Sequence, residues 1–350
     1  MDVGIVGGSD YGGAELLRLL AGHPGAKVRV VAARSSAGQR VDAVFPHLAG
    51  TPGADTVLAP AEPDALDGCD LVFLATPHAA SLELAPQLLA QGSAVVDLSG
   101  AFRLPADVFE QWYGLQHTAP ELAPAAYGLP ELFAAQIAAA AAPDGTRLVA
   151  SPGCYPTAAL LALAPLAGLV DPTSVVISGL SGTSGAGKGL REDLHVTHAG
   201  ANVTPYGAPR HRHTPEIEQG WAAACGLDEP VPVTFTPHLV PTARGLLATV
   251  TATLADGVDA GSVRDAYESA YADAPFVTVL ADGTWPATVH VRGGNGAHVG
   301  VAVDPRSGRV TAACAIDNLG KGAAGQALQA ANLLCGEPET AGLSAGGVYP

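Results

Sequence analysis

Short apolar runs separated by stretches of helical periodicity dominate the first half of the chain. Asp2 to Val6 is one such run, a glycine-dense turn spans Gly7 to Gly13, and Ala14 to Leu20 then has helix character. This is the opening of a βαβ unit. A second strand is predicted over Lys27 to Ala33, and further strands over Asp70 to Ala75, Ala94 to Leu98 and Arg147 to Ala150, with a helix over Ala79 to Leu89. Strands alternating with helices predict a parallel sheet of the Rossmann type.

After Ala150 the pattern changes to β-rich runs, Ser174 to Ser178, Val231 to Pro237, Gly245 to Leu254, Val289 to Arg292 and Val299 to Val303. These predict a largely antiparallel sheet with one face buried. A helix is predicted over Gly322 to Leu334, and the Gly/Ser-rich residues from Gly336 to Pro350 are expected to fray. The expected fold class is α/β. A Rossmann-type parallel-sheet domain covers 1–150, rejoined by a C-terminal helical segment 318–336; an α+β domain covers 151–317, and 337–350 form a flexible tail.

The 350 residues carry 17 Lys+Arg against 33 Asp+Glu, a net charge of −16, which argues against nucleic acid or an anionic membrane as the main partner. The alanine-rich stretch from Ala134 to Pro143 is too short for a bilayer span. Val3 to Val6 follow Met1 without a basic segment, apolar core and cleavage site, so no secretion signal is expected. Five cysteines, scattered and without a C-x-x-C pair, fit a reducing cytoplasm.

A strand, a glycine turn and a helix set backbone N–H groups where a pyrophosphate can bind. Gly7, Asp10 and Gly13 here occupy every third position, with Gly8 and Gly12 as additional glycines. An ordinary strand-to-helix turn is the alternative. The second strand ends in Arg34-Ser35-Ser36 rather than in a carboxylate, which favours a 2′-phosphate and hence NADP, unless Arg34 is only a solvated strand end.

Cys154 lies in Ser151-Pro152-Gly153-Cys154-Tyr155-Pro156-Thr157, just ahead of a predicted helix. A helix N-terminus favours thiolate, so Cys154 is the candidate nucleophile, whereas Cys69, Cys225, Cys314 and Cys335 read as core filler. In Arg210-His211-Arg212-His213-Thr214-Pro215-Glu216, Thr214 suits an N-cap and Pro215 a first helical residue. His213 therefore abuts a helix start, where a neutral imidazole can relay a proton; His211 lacks that placement. The pairs His195/His198 and His211/His213 have ligand-like spacing but no acidic or cysteine partner in a recognised pattern, so no metal is expected. Lys188 and Lys321, in glycine-rich stretches, read either as phosphate-attracting cations or as solvated loop charges.

Together, Ser151 to Ala158, the run His211-Arg212-His213-Thr214-Pro215-Glu216-Ile217-Glu218-Gln219, and Asp317 to Gln326 closely resemble the N-acetyl-gamma-glutamyl-phosphate reductases of arginine biosynthesis, a resemblance covering residues 1 to about 335. The segments Asp97-x-Ser99-x-x-Phe102-Arg103 and His238-x-Val240-Pro241-x-x-Arg244 recur as well, whereas Asp10 stands where the family commonly has glycine. The resemblance implies an NADPH-dependent, phosphorylating aldehyde dehydrogenase with Cys154 as nucleophile, His213 as acid/base, and a catalytic and oligomerisation domain after residue 150. It implies substrate contacts from Arg103, Glu216, His238 and Arg244, with Arg103 on the leaving phosphate and Arg244 on the substrate carboxylate. Cofactor contacts are implied for Gly7, Ser9, Tyr11, Gly12, Gly13, Arg34, Ser35, Ser184, Gly185 and Asn318. A small acyl-phosphate substrate and a dimer or tetramer of identical chains are expected. A related reductase acting on an aminoadipyl or aspartyl phosphate, or a non-catalytic NADP-binding sensor, are the alternatives.

Overall fold

The computed structural model describes residues 1–349. Along the first part of the chain lie β1 (Asp2–Val6), α1 (Tyr11–Leu20), β2 (Lys27–Ala32), β3 (Leu71–Leu74), α2 (His78–Ala90), β4 (Ala94–Asp97), α3 (Ala106–Tyr113), β5 (Ala126–Tyr127), α4 (Pro130–Ala141) and β6 (Leu148–Ala150). Then follow α5 (Cys154–Leu163), β7 (Val176–Ser181), β8 (Thr204–Pro205), α6 (Thr214–Ala224), β9 (Thr234–Leu239), β10 (Leu246–Thr253), α7 (Ala260–Ala270), β11 (Val277–Val279), β12 (Ala297–Asp304), β13 (Arg309–Ile316) and α8 (Gly325–Leu334). The chain divides into two compact units, 1–153 with 323–343, and 154–322 with 344–350. No helix among the described residues is long and apolar enough to cross a membrane.

The first unit is a six-stranded sheet in the order β2-β1-β3-β4-β6-β5, parallel throughout. Strands β3 and β4 are buried at every position, as a sheet covered on both faces requires. Helix α8 belongs to this unit and buries Leu328 and Ala331 completely; a fully buried leucine contributes roughly 1.5–3 kcal/mol. Two of its polar side chains tie it to neighbouring segments: Gln326 Nε2 donates to Gly128 O at 2.7 Å, and Asn332 Nδ2 donates to Ala341 O at 2.9 Å. The segment expected as a loose tail is thus held at Ala341, and further along Asn295 N donates to Ser344 O at 2.7 Å and Val348 N to Arg292 O at 2.6 Å.

The second unit is a seven-stranded sheet in the order β11-β12-β13-β10-β7-β9-β8. It is mixed: β10 pairs antiparallel with both β7 and β13, whereas β7 with β9 and β11 with β12 run parallel. Alternate residues Leu246, Ala248, Val250 and Ala252 of β10 are buried, on the face that receives α5. Val289 to Arg292 is not a strand, contrary to expectation; Thr288–His290 is a 3₁₀ turn. Both sides of β12, the next strand in the chain, are occupied by β11 and β13.

Candidate active site

In the first unit, β1 runs into a turn that only glycine can build. Gly7 has φ of +86°, and a Cβ there would stand 2.1 Å from Ala75 O; one on Gly13 would stand 2.6 Å from Gly8 Cα. At Gly12 the nearest neighbour of such a Cβ is Ala75 Cβ at 3.9 Å, so the turn is open on that side. Asp10 is the N-cap of α1, its Oδ1 accepting from Tyr11 N at 2.7 Å. Its carboxylate therefore folds back onto the helix end. Ser9, Tyr11, Gly12 and Gly13 gather in this one turn, and Arg34 and Ser35 lie exposed just beyond the end of the neighbouring strand β2. An open helix N-terminus beside an exposed guanidinium fits a dinucleotide phosphate.

Ser184, Gly185 and Asn318 meet in the second unit. Asn318 Nδ2 donates to Ser184 Oγ at 2.9 Å, Asn318 Oδ1 accepts from Gly245 N at 2.8 Å, and a Cβ on Gly185 would lie 3.6 Å from Asn318 Nδ2.

Cys154 is the first residue of α5, with Pro156 in the first turn where its missing N–H costs nothing. Every later residue of α5 is buried, while Cys154 itself is partly exposed. Cys69 and Cys314 are buried; burial pushes the thiols of Cys69 and Cys225 up, and that of Cys335 up to about 11.

His213 is itself the N-cap of α6, since its carbonyl already accepts from Ile217 N at 3.0 Å. Helix α6 thus begins one residue earlier than expected, and Thr214 is not the cap; its buried hydroxyl has no hydrogen-bond partner among the described residues. His211, expected to be a bystander, has a structural role, because its Nδ1 accepts from His213 N at 3.1 Å. The same i to i+2 device, an imidazole in place of an Asx side chain, recurs at His23, His117 and His195. His195, one of the paired metal candidates, is engaged in this way, and no cluster of three potential metal ligands occurs among the described residues.

The tyrosine after Cys154 joins these pieces. The Tyr155 ring lies 5.7 Å from His211 and 6.0 Å from His213, and the two imidazoles are 4.9 Å apart. Tyr155 OH donates to His238 O at 3.1 Å and accepts from Tyr206 OH at 3.3 Å. Burial drives the Tyr155 phenol far above its ordinary value, so it stays a donor. The His238 ring reaches Gly179 O, with Nδ1 at 3.3 Å. Glu216 is buried in the first turn of α6.

Burial, and then the Arg212 charge, lowers His211 from its ordinary 6.5 to about 4. The unfolded chain therefore takes up a proton at a higher pH than the folded protein does. This contribution to stability is fully present above pH 6.5 and is lost as the pH falls towards 4. His211→Asn, whose carbonyl can still accept from His213 N, is expected to flatten the fall of the urea midpoint over that window. Identical slopes for wild type and variant would contradict this origin of acid sensitivity.

Two arginines singled out from the sequence are tied into the framework. In the first unit, buried Arg103 donates from Nε to Ser151 O at 2.7 Å and from Nη2 to Leu98 O at 2.8 Å, bracing the segment that leads to Cys154. Asp97 accepts from Ser81 Oγ and Ser99 Oγ, each at 2.7 Å, and from Ser99 N at 3.1 Å; burial pushes its carboxyl up and these donors oppose that. In the second unit, Arg244 donates to Asp317 from Nε at 2.9 Å and from Nη2 at 2.8 Å. Asp317 is wholly buried and also accepts from Gly293 N, Leu319 N and Gly320 N. Sequence reasoning missed Asp317 as a hub and Tyr155 as a bridge. The signal for the first was Asp-Asn-Leu-Gly, a pattern of local side-chain-to-backbone capture. Lys321, read as a loop cation, is wholly buried with Nζ 5.7 Å from the Phe276 ring centroid, whereas Lys188 is exposed.

Residues 2–140 match the semialdehyde dehydrogenase NAD binding domain, and residues 154–318 the semialdehyde dehydrogenase dimerisation domain. Proteins called N-acetyl-gamma-glutamyl-phosphate reductase are 48% identical over 100% of both chains in Alkalilimnicola ehrlichii, and 48% identical over 99% of both in Symbiobacterium thermophilum and in Streptomyces avermitilis. Among solved structures, aspartate semialdehyde dehydrogenase II from Vibrio cholerae superposes with a TM-score of 0.73 at 18% identity, over 95% of this chain and 98% of that one. The Candida albicans aspartate semialdehyde dehydrogenase with NADP gives 0.72 at 17% identity, over 95% and 98%. These two share the fold. Identity near one half along the whole length is a closer relation, and on it the chain belongs to the N-acetyl-gamma-glutamyl-phosphate reductase family.

Proposed function

We propose that the chain reduces N-acetyl-gamma-glutamyl phosphate to the semialdehyde with release of phosphate, using Cys154 as nucleophile, His213 as acid/base and NADPH as reductant. The observation that carries the mechanism is the start of α5: a partly exposed thiol opens a buried helix, and the next side chain, Tyr155, touches both histidines of the following motif. The helix N-terminus favours the thiolate. Cys154 Sγ attacks the acyl carbon, the bond to the phosphate oxygen breaks and phosphate leaves with its electron pair, giving a thioester. NADPH, which the Gly7 to Gly13 turn would hold, would supply the hydride that reduces the thioester. His213 gives a proton to the developing oxygen anion and removes it again as the thiohemiacetal collapses to aldehyde and Cys154 thiolate. Proton transfer of this kind is worth roughly 100–10,000-fold.

In this reading Arg103 meets the leaving phosphate and Arg244, its fork oriented by Asp317, meets the substrate carboxylate, with Glu216 and His238 completing the substrate contacts. Gly7, Ser9, Tyr11, Gly12 and Gly13 hold the pyrophosphate, Arg34 and Ser35 the 2′-phosphate, and Ser184, Gly185 and Asn318 contact the cofactor from the second unit. The enzyme acts as a homo-oligomer in the cytoplasm; the match of 154–318 to a dimerisation domain supports the first point.

Assays of the semialdehyde plus phosphate with NADP, against aspartate semialdehyde and an aminoadipyl analogue, test the substrate. Preference for either analogue would overturn it. For the cofactor, wild type is expected to favour NADP over NAD in kcat/KM, and Arg34→Asp to narrow or invert that preference. Equal use of both by the wild-type enzyme would refute the role given to Arg34.

A further inference from the structure

Helix α5 rests on bare glycine Cα atoms. A Cβ on Gly179 would meet Tyr155 Cε1 at 2.5 Å, and one on Gly220 would meet Leu160 Cδ1 at 2.5 Å. Those contacts are with side chains. A Cβ on Gly322 would instead meet Cys154 Cβ at 2.8 Å, with Asp317 O at 3.2 Å and Cys154 Cα at 3.3 Å behind it. The two Cys154 atoms carry the thiol, and neither can swing aside unless the start of α5 moves. Gly322 does not have the left-handed φ that disfavours a side chain, so alanine is compatible with its backbone conformation and it is the crowding, tightest at Cys154 Cβ, that excludes it.

The height of this seat is set by Asp317. Its carbonyl accepts from Gly322 N at 2.8 Å, while its carboxylate holds Leu319 N and Gly320 N from the same turn, Gly293 N from another loop, and Arg244. From Gly320 to Ala324 the backbone is wound as a π turn, a form that places one extra residue in the turn and occurs often at functional sites. Gly320 is itself pressed down, since a Cβ there would stand 2.3 Å from Gly294 O.

We propose that Gly322 is a positioning residue for the nucleophile: its bare Cα fixes where the Cys154 thiol stands, and Asp317 holds the turn that presents it. The inference rests on the reading of Cys154 as the nucleophile. In Gly322→Ala the thiol is displaced by a fraction of an ångström to about one ångström, and misplacement on that scale costs on the order of 10–100-fold in rate. The step affected is acylation. The expected result is a kcat and a rate of Cys154 acylation lowered together by that factor, with NADPH affinity and the KM for acyl phosphate within about threefold of wild type. A general loss of structure would instead lower cofactor affinity along with the rate.

Rapid-quench mass spectrometry of acyl-enzyme formation, with NADPH titration alongside, reads both quantities. Wild-type acylation in Gly322→Ala would overturn the proposal, as would a parallel loss of NADPH affinity and rate. Should Gly322→Ala not fold, the double variant Cys154→Gly/Gly322→Ala decides, because removing the Cβ of residue 154 removes the shortest contact, at 2.8 Å, and leaves only neighbours at 3.2 Å or beyond. Recovery of folding supports the seat, and failure of the double variant where Cys154→Gly alone folds contradicts it. An active Cys154→Ser would sink the nucleophile reading; a dead Cys154→Ser beside a normal Gly322→Ala would sink the seat alone.

Discussion

Cys154→Ser is expected to fold, to bind NADPH as the wild type does, and to turn over roughly 10,000-fold more slowly or worse, the scale seen when a nucleophile is removed. The hydroxyl is close in size to the thiol and sits at a partly exposed helix start, so packing is preserved. What is lost is the anion: a helix N-terminus brings a thiol into the neutral range but leaves a serine hydroxyl protonated. None of the other cysteines is placed to substitute, with Cys69, Cys225 and Cys335 held protonated by burial and Cys314 inside β13. The expected readouts are steady-state turnover, the thermal midpoint and NADPH binding. Turnover within tenfold of wild type would remove the covalent mechanism.

His213→Asn is expected to lower turnover by ~100-fold or more, because it removes the group proposed to exchange a proton with the reacting oxygen. His211→Asn is expected to cost much less. The reason lies in how the turn is built: His211 supplies an acceptor to His213 N, and an asparagine oxygen supplies the same acceptor through an Asx turn. His211→Leu removes the acceptor, leaves His213 N to find another partner, and is expected to cost about 0.5–1.5 kcal/mol of stability together with a part of the activity. Parallel kinetics on the three variants check this order. Equal losses in His213→Asn and His211→Asn would mean that the proton-transfer role had been placed on the wrong imidazole, or on neither.

The parallel half of the fold was legible because strands buried on both faces are continuous apolar runs, and Leu71–Leu74 and Ala94–Asp97 fall inside the predicted segments. The second half was harder. Val289 and Val291 have the alternation of a strand, but Thr288–His290 closes as a 3₁₀ turn, and two alternating valines do not distinguish a strand from such a turn. Parallel pairing of β7 with β9 is likewise invisible locally, since nothing in either strand encodes its neighbour's direction. At the candidate site, the residues proposed to react are short-range signals: a cysteine before a helix, a histidine before Thr-Pro. Those proposed to orient them act over long sequence distances. Asp317 reaches Arg244 and Gly293, and Gly322 reaches Cys154, and neither pairing leaves a trace in the spacing of residues.

Passage of the acyl group through the sulfur of Cys154 is read out by intact-mass spectrometry of the wild-type enzyme mixed with N-acetyl-gamma-glutamyl phosphate in the absence of NADPH. Without reductant the reaction halts before hydride transfer, so a mass increase of one N-acetylglutamyl group should accumulate, map to the peptide containing Cys154, and disappear when NADPH is added. No adduct on Cys154, in an enzyme that releases the semialdehyde at its normal rate once NADPH is supplied, would exclude a covalent route through this sulfur.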